Sequence, residues 1–399
     1  MRIFTEVERI KEDRKKDRKK DIKESLKTAG MVFLLFVLSR MLLTFAACVY
    51  GYAAQDYTKT WDLLYKFDAL WYVDIVENGY QSVPNSVTGY ANYAFYPFYP
   101  IVLRFLKGFM PERFTTNQIG IMVSNLCTLI AGYMGVKTVR IKYPKDAGYF
   151  MAFLIFFAPH TIYFSMTYTE AMFMMFTIFF FYYCGRKKFF LASVFAFFAA
   201  FTRIAGVFLV FSLVLFLYEA DYGWKFSISN LTGFVKRIFT DPVRLLGILI
   251  CPLGIFGYFY YLYRLVGDVW ASAHIQVAWH NSYEGVLRTL FYNLLDSGSG
   301  TSSQYWALYA VFGLAMFAYL CYKREFAAAV FGFLAVGISL RTDAIAIARY
   351  IMGNFATYIA LYMLLRSRQS AKTVVMNISI IVTGIMYYLW CSGECYFIF

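Results

Sequence analysis

Met31-Val32-Phe33-Leu34-Leu35-Phe36-Val37-Leu38-Ser39-Arg40-Met41-Leu42-Leu43-Thr44-Phe45-Ala46-Ala47-Cys48-Val49-Tyr50-Gly51-Tyr52 is a nearly unbroken apolar run. It is as long as the roughly 20 helical residues needed to cross the hydrocarbon core of a bilayer. Comparable runs recur to the C-terminus, and 60% of the 399 residues are hydrophobic while only 16% are charged. Aromatic residues make up 21%, and mean hydropathy is +0.53. A soluble domain would carry about 25% charge, so a soluble enzyme is excluded. A porin-like barrel is excluded as well, because barrel strands of about ten residues alternate in polarity, whereas these runs are continuous. The expected fold is an all-α polytopic membrane protein.

Residues 1–29 stand apart. They hold eleven Lys/Arg and seven Asp/Glu with little apolar periodicity, and mixed-sign blocks of this kind read as a solvated, partly helical cytoplasmic tail. The net charge of +14 is therefore assigned to topology, and no nucleic-acid partner is expected. The first apolar run exceeds the 7–15 residues of a signal-peptide core and is read as a retained span. Phe45-Ala46-Ala47-Cys48 resembles a lipidation box only faintly. The seven Cys show no metal-ligand spacing.

Lys/Arg clusters mark cytoplasmic loops. They occur at Lys137-Arg140-Lys142-Lys145, Arg186-Lys187-Lys188, Lys225 to Arg244, Lys323-Arg324 and Arg366-Arg368-Lys372. The chain must cross an even number of times between neighbouring clusters. The apolar stretch 147–184, interrupted at Pro159-His160, and the stretch 189–217, broken at Thr202-Arg203, are each read as a two-helix hairpin. Further spans fall at about 31–52, 116–137, 245–264, 305–322, 325–340, 349–365 and 373–392. The scheme has about eleven spans, with the N-terminus cytoplasmic. One transmembrane domain, 30–399, follows the tail and carries two long exported loops, about 53–115 and 265–304. Loops of that length are usually functional.

The first exported loop contains Trp61-Asp62-Leu63-Leu64-Tyr65-Lys66-Phe67-Asp68-Ala69-Leu70-Trp71-Tyr72-Val73-Asp74-Ile75-Val76-Glu77-Asn78-Gly79-Tyr80. Read as one helix capped by Gly79, at about 100° per residue, it sets Trp61, Leu64, Tyr65, Trp71, Tyr72 and Ile75 around Asp68. Asp62 and Asp74 point about 120° away, where solvent accounts for them. A carboxylate on an apolar face costs desolvation and needs a reason. Two reasons stay open: a general base or ligand-binding group, or an aspartate at a helix N-terminus or lipid interface with a local partner. Next comes Phe95-Tyr96-Pro97-Phe98-Tyr99-Pro100, an aromatic and proline turn leading into a short amphipathic stretch.

Together Phe67-Asp68-Ala69-Leu70-Trp71-Tyr72, Glu77-Asn78-Gly79-Tyr80 and Phe95-Tyr96-Pro97-Phe98-Tyr99-Pro100 resemble the PIG-V-like family of membrane mannosyltransferases, in the GT-C glycosyltransferase superfamily. The family usually has Trp where Phe67 stands and Gly where Ala69 stands. Tyr168-Thr169-Glu170-Ala171-Met172-Phe173, Thr202-Arg203-Ile204-Ala205-Gly206 and Gln276-Val277-Ala278-Trp279 are similar to further family segments, in the same order. The resemblance implies a GT-C-like membrane fold whose large first extracytoplasmic loop carries amphipathic helices. It also implies transfer of a hexose, mannose first, from a polyprenyl-phosphate-linked donor to a glycan or glycolipid acceptor outside the membrane, with inversion. The location would be the cell membrane, or the endoplasmic reticulum membrane in a eukaryote.

That chemistry needs a base for the acceptor hydroxyl and cations for the leaving phosphate. Asp68 is the expected base. Arg203, Arg341 and Arg349 are the expected phosphate-binding residues, because guanidinium matches phosphate geometry; membrane snorkelling, interfacial anchoring or, for Arg203, a structural pair with Glu170 is the alternative for them. Trp71, Tyr72, Glu170, Gln276, Trp279 and His280 are the expected substrate contacts. His274 and His280 are six apart and share no helix face, so no metal is expected, nor any other cofactor. No Walker or Rossmann fingerprint is present, which disfavours a nucleotide-sugar donor. The competing classes are a transporter or lipid-linked-saccharide flippase, for which broken hairpins with an intramembrane arginine would also serve, and a polysaccharide polymerase or ligase.

Overall fold

Helices follow the hydropathy of the chain in the computed structural model, which describes residues 2–143, 148–279, 285–295, 300–341 and 345–394. The charged tail and the first apolar run form one helix, α1 (Arg2–Ala54). The first long loop then folds into α2 (Thr60–Leu63), α3 (Asp68–Asn78) and α4 (Phe98–Lys107). Helix α5 (Thr116–Lys142) starts at a reciprocal cap in which Thr115 Oγ1 accepts from Gln118 N and Gln118 Oε1 accepts from Thr115 N.

Both interruptions anticipated from the sequence break a helix. Helices α6 (Tyr149–Phe157) and α7 (Glu170–Gly185) are joined by a buried tip with a 3-10 turn over Thr161–Ser165. Helix α8 (Phe189–Thr202) stops at Arg203, and a 3-10 turn over Ile204–Phe208 leads into α9 (Leu209–Tyr222). Gly206 makes that turn possible: a Cβ there would sit 2.2 Å from the backbone of Ala199 and Ala200, so only glycine lets the turn press onto α8. Helices α8 and α9 fold back on each other, whereas α6 and α7 each pack on α5 rather than on one another.

The remainder is α10 (Ile228–Thr240), α11 (Pro242–Val266), α12 (Ala271–His274), α13 (Val286–Leu295), α14 (Gly300–Tyr322), α15 (Phe326–Leu340), α16 (Ile347–Met352), α17 (Phe355–Leu365) and α18 (Gln369–Ser392). No strand occurs among the described residues. Among the described residues, six helical segments are long and apolar enough to cross a membrane: 19–54, 116–142, 204–222, 242–266, 302–322 and 369–392. The protein is an all-helical membrane protein. The other expected crossings fall on the shorter α6, α7, α8, α15 and the α16–α17 pair, which the Gly353-Asn354 step divides.

The structure corrects the reading of the first loop. Residues 61–79 are not one helix: α2 ends at Leu63, and Phe67 has φ +54°, left-handed backbone that no continuing helix can contain. Gly79 does cap α3, with φ +83° and its N–H on Ile75 O. Asp74 is not merely solvated either, since it accepts from Nδ2 of the fully buried Asn92 at 2.7 Å and from Asn78 at 2.8 Å.

Candidate functional site

Asp68 is the first residue of α3, and the bend before it is held from two sides. Lys66 Nζ donates to the carbonyls of Trp390 (2.9 Å) and Cys391 (3.3 Å) in α18. The Trp390 indole N–H donates to Leu63 O at 3.2 Å, and its ring stands edge-on to Phe67, with centroids 5.5 Å apart. From the α6–α7 tip, Tyr168 OH donates to Lys66 O at 3.2 Å. These contacts offset the roughly 1–3 kcal/mol that left-handed backbone costs an aromatic residue.

Glu170 is likewise the first residue of its helix, α7. Both carboxylates thus gain from the positive end of a helix dipole. Arg349 lies between them. Its Nη1 donates to Asp68 Oδ2 at 2.8 Å, its Nε is 3.3 Å from Glu170 Oε1, and its Nη2 reaches Tyr350 OH at 3.4 Å. The guanidinium packs over the rings of Tyr163, Tyr168 and Tyr350 at 5.2–5.4 Å, an arrangement that stabilises a desolvated cation. Arg203 completes the group: Nη1 is 2.6 Å from Glu170 Oε1 and 3.0 Å from Thr169 Oγ1, and Thr169 Oγ1 in turn lies 3.2 Å from Tyr72 OH. Burial pushes the Tyr72 phenol well above its ordinary pKa, so it stays protonated.

Five of the residues singled out from the sequence, Asp68, Tyr72, Glu170, Arg203 and Arg349, therefore share one network. Its two arginines and two carboxylates carry no net charge. Exposure differs sharply along it: the side chains of Glu170 and Arg349 are 3% and 8% exposed, and Asp68 is 28% exposed. Asp68 Oδ1 takes no hydrogen bond among the described residues, nor do Arg203 Nε and Nη2 donate one. Arg349, Arg203 and Glu170 line a cleft of about 110 Å³ with Ser339, Tyr350 and Asn354. At its wall Glu170 Oε2 and Asn354 Nδ2 have no hydrogen-bond partner among the described residues.

The other expected site residues lie elsewhere. Trp71 stacks on Phe95, with centroids 5.9 Å apart and 18° between planes. Arg341 is exposed at the end of α15 and does not line the cleft. Gln276 and Trp279 fall in a 3-10 turn after α12; His280 lies outside the described residues. His274 pairs with Asp268, Nδ1 to Oδ2 at 2.7 Å. No cluster of three or more His, Cys, Asp and Glu side chains occurs among the described residues.

Sequence reasoning missed Tyr163, Tyr350 and Asn354, whose parts depend on chain segments far apart. It also passed over Arg40, inside the very run that decides the fold. Arg40 Nη1 donates to Asn125 Oδ1 at 3.1 Å and to Ser165 Oγ, which ties α1 and α5 to the α6–α7 tip. A charge in the middle of an apolar span was the available signal.

No protein-family model matches the chain, and no curated protein matches it in sequence. Among solved structures it is similar to the oligosaccharyltransferase of Archaeoglobus fulgidus. For the apo form the identity is 12% and the TM-score 0.46, over 89% of this chain and 56% of that one. The complex with zinc and sulfate gives 13% and 0.41, over 88% and 53%. The form tethered by a disulfide bond to an acceptor peptide containing the NVT sequon gives 11% and 0.41, over 90% and 55%. The chain thus spans little more than half the length of that enzyme. A likeness at this level bears on neither family nor activity.

Proposed function

We propose that this protein is a GT-C-type membrane glycosyltransferase that moves a hexose, mannose first among candidates, from a polyprenyl-phosphate-linked donor to a glycan or glycolipid hydroxyl. The observation that carries the reading is the state of Asp68. One of its oxygens is fixed by the buried Arg349, while the other is left without a hydrogen bond on the accessible side of the network. A carboxylate serving only a structural ion pair offsets its desolvation by having its remaining lone pairs hydrogen-bonded; Asp68 Oδ1 has no such bond among the described residues.

In the proposed reaction the acceptor oxygen bonds to the anomeric carbon as the bond from that carbon to the phosphate oxygen breaks. The hydroxyl proton passes to Asp68 Oδ1, and the electron pair leaves with the polyprenyl phosphate. Arg203 meets that phosphate with its free Nε and Nη2 edges. Because the four charges cancel, its hold on the phosphate comes from directed hydrogen bonds more than from net charge. Arg349 donates to Asp68 and Tyr350 and lies in ion-pair contact with Glu170, so its proposed role is to position Asp68, with Glu170 orienting both arginines. Arg341 is the second candidate for the phosphate, and Trp71, Gln276, Trp279 and His280 are candidates for sugar or acceptor contact. Glu170 Oε2 and Asn354 Nδ2 offer an acceptor and a donor to a bound hydroxyl.

The test is mass spectrometry of lipid extracts from membranes with and without the gene, followed by transfer assays of the purified protein with polyprenyl-phosphate-linked mannose. A glycolipid that disappears with the gene, and sugar transfer in vitro, are expected. Unchanged lipids together with no transfer from any polyprenyl-phosphate-linked hexose would overturn the reading.

A further inference from the structure

Helix α10, far along the chain from the candidate site, is held rigidly yet leaves one face uncovered. Ser227 Oγ caps its start by accepting from Asn230 N at 3.1 Å, and Asp241, directly after its end, caps α11. The almost wholly buried Asp221 of α9 takes both Arg237 of α10 (3.0 Å) and Arg244 of α11 (2.5 Å). Phe234 is buried edge-on against Tyr218, with centroids 5.2 Å apart. The rotation of the helix about its own axis is thereby fixed.

Three faces follow. Phe234 and Ile238 face the protein. At about 100° per residue, Ile228, Leu231, Val235 and Phe239 fall within about 80° of one another on the adjoining face, and all four are exposed, Ile228 at 85% and Phe239 at 70%. Gly233 and Arg237 turn back toward α9, where a Cβ on Gly233 would meet Tyr222 and Arg237 reaches Asp221, and the exposed Ser229, Lys236 and Thr240 occupy the remaining side. An exposed apolar face bordered on one side by the protein and on the other by exposed polar residues is the arrangement of a helix lying flat on a bilayer beside the bundle it belongs to. Two observations identify what covers the apolar face. It runs on into exposed Val243, Leu246 and Leu249 of α11, one of the membrane-length helices. Lys225 and Lys236 are exposed beside it, at positions from which lysine reaches phosphate while its stem stays on apolar ground.

We propose that α10 is an in-plane helix seated in the headgroup layer, on the side of the basic clusters, and that its lysines bind anionic phospholipid. The site is independent of the transfer chemistry proposed above. The experiment uses the full chain with p-benzoylphenylalanine in place of Leu231, Phe239 or Ser229, in mixed vesicles of phosphatidylcholine and phosphatidylglycerol. After photolysis, mass spectrometry should find phospholipid adducts at Leu231 and Phe239 and none at Ser229. Each of Lys225→Gln and Lys236→Gln should lower the share of phosphatidylglycerol among the adducts about fivefold, the equivalent of about 1 kcal/mol per surface charge. Adducts to protein, or none at both Leu231 and Phe239, would overturn the in-plane assignment. An unchanged phosphatidylglycerol share in the two lysine variants would overturn the anionic site.

Discussion

Replacing Asp68 by Asn separates the catalytic reading from a structural one. The amide oxygen of Asn can still accept from Arg349 Nη1, now 2.8 Å from the carboxylate, so the contact persists in weakened form. Losing the charge reduces a charge-assisted bond of about 1.5–3 kcal/mol to one nearer 1. Glu170 remains beside Arg349 Nε, which keeps the buried guanidinium from being stranded. The expected loss of stability is therefore about 1–2 kcal/mol, small enough for normal expression and insertion. Transfer should fall far more, by about 10²–10⁴-fold, because an amide cannot take up the hydroxyl proton. The assay is transfer by purified protein at matched folded concentration, with a melting curve on the same sample. Asp62→Asn is the control, since Asp62 lies exposed in the first turn of α2. Asp74→Asn is not one, because Asp74 anchors buried Asn92. Retained transfer in Asp68→Asn, or a loss that merely tracks a collapse in melting temperature, would refute the assignment.

Arg203→Ala should raise the donor KM more than Arg203→Lys, since lysine restores a charge beside buried Glu170 but not the two free guanidinium edges; an equal donor KM in wild type and both variants would remove Arg203 from the phosphate. Gly206→Ala forces a Cβ against the α8 backbone and should cost about 1–3 kcal/mol, read as a lower melting temperature; an unchanged one would show that the turn is not so tightly packed. Hydrogen bonds from Lys107 and Thr116 hold the Glu77 carboxyl below its ordinary pKa. Its stabilisation is therefore present above the unfolded value and fades as pH falls through the folded one. The melting-temperature gap between wild type and Glu77→Gln, modest because the pair is exposed, should close below about pH 4, and a gap independent of pH would contradict that origin.

Hydropathy and charge were enough to read the helical membrane class and the two helix breaks, because both depend on local composition. The breaks at Pro159-His160 and Thr202-Arg203 stand in the sequence as polar or rigid residues within apolar runs. The first loop shows where local reading ends. An angular argument over residues 61–79 singled out Asp68 by assuming a helix that is in fact interrupted at Phe67. What holds that break is Trp390 and Cys391, which Lys66 and Phe67 meet across the fold, and no window around position 67 contains those partners. The Asp68–Arg349 contact is just as remote, 281 residues apart. The sequence could mark each partner as a charge in apolar surroundings, but it could not pair them. The alternative of an aspartate at a helix N-terminus with a partner describes the position of Asp68 correctly, and it leaves the unbonded Oδ1 unexplained.

The clasp of Lys66 on the carbonyls of Trp390 and Cys391 imposes an order on biogenesis. The ribosome makes the aspartate's bend early and the helix that fastens it 324 residues later, so the network is expected to settle only once α18 has entered the bilayer. A chain ending at Arg368 would retain Asp68, Glu170, Arg203 and Arg349 yet should be inactive, and separately expressed α18 should restore it by completing the clasp in trans. Activity in the shortened chain alone would mean that the bend forms without its fastener. With the clasp required, a protein still being threaded into the membrane has Asp68 without its place beside Arg349, and an incomplete copy lacks the assembled network.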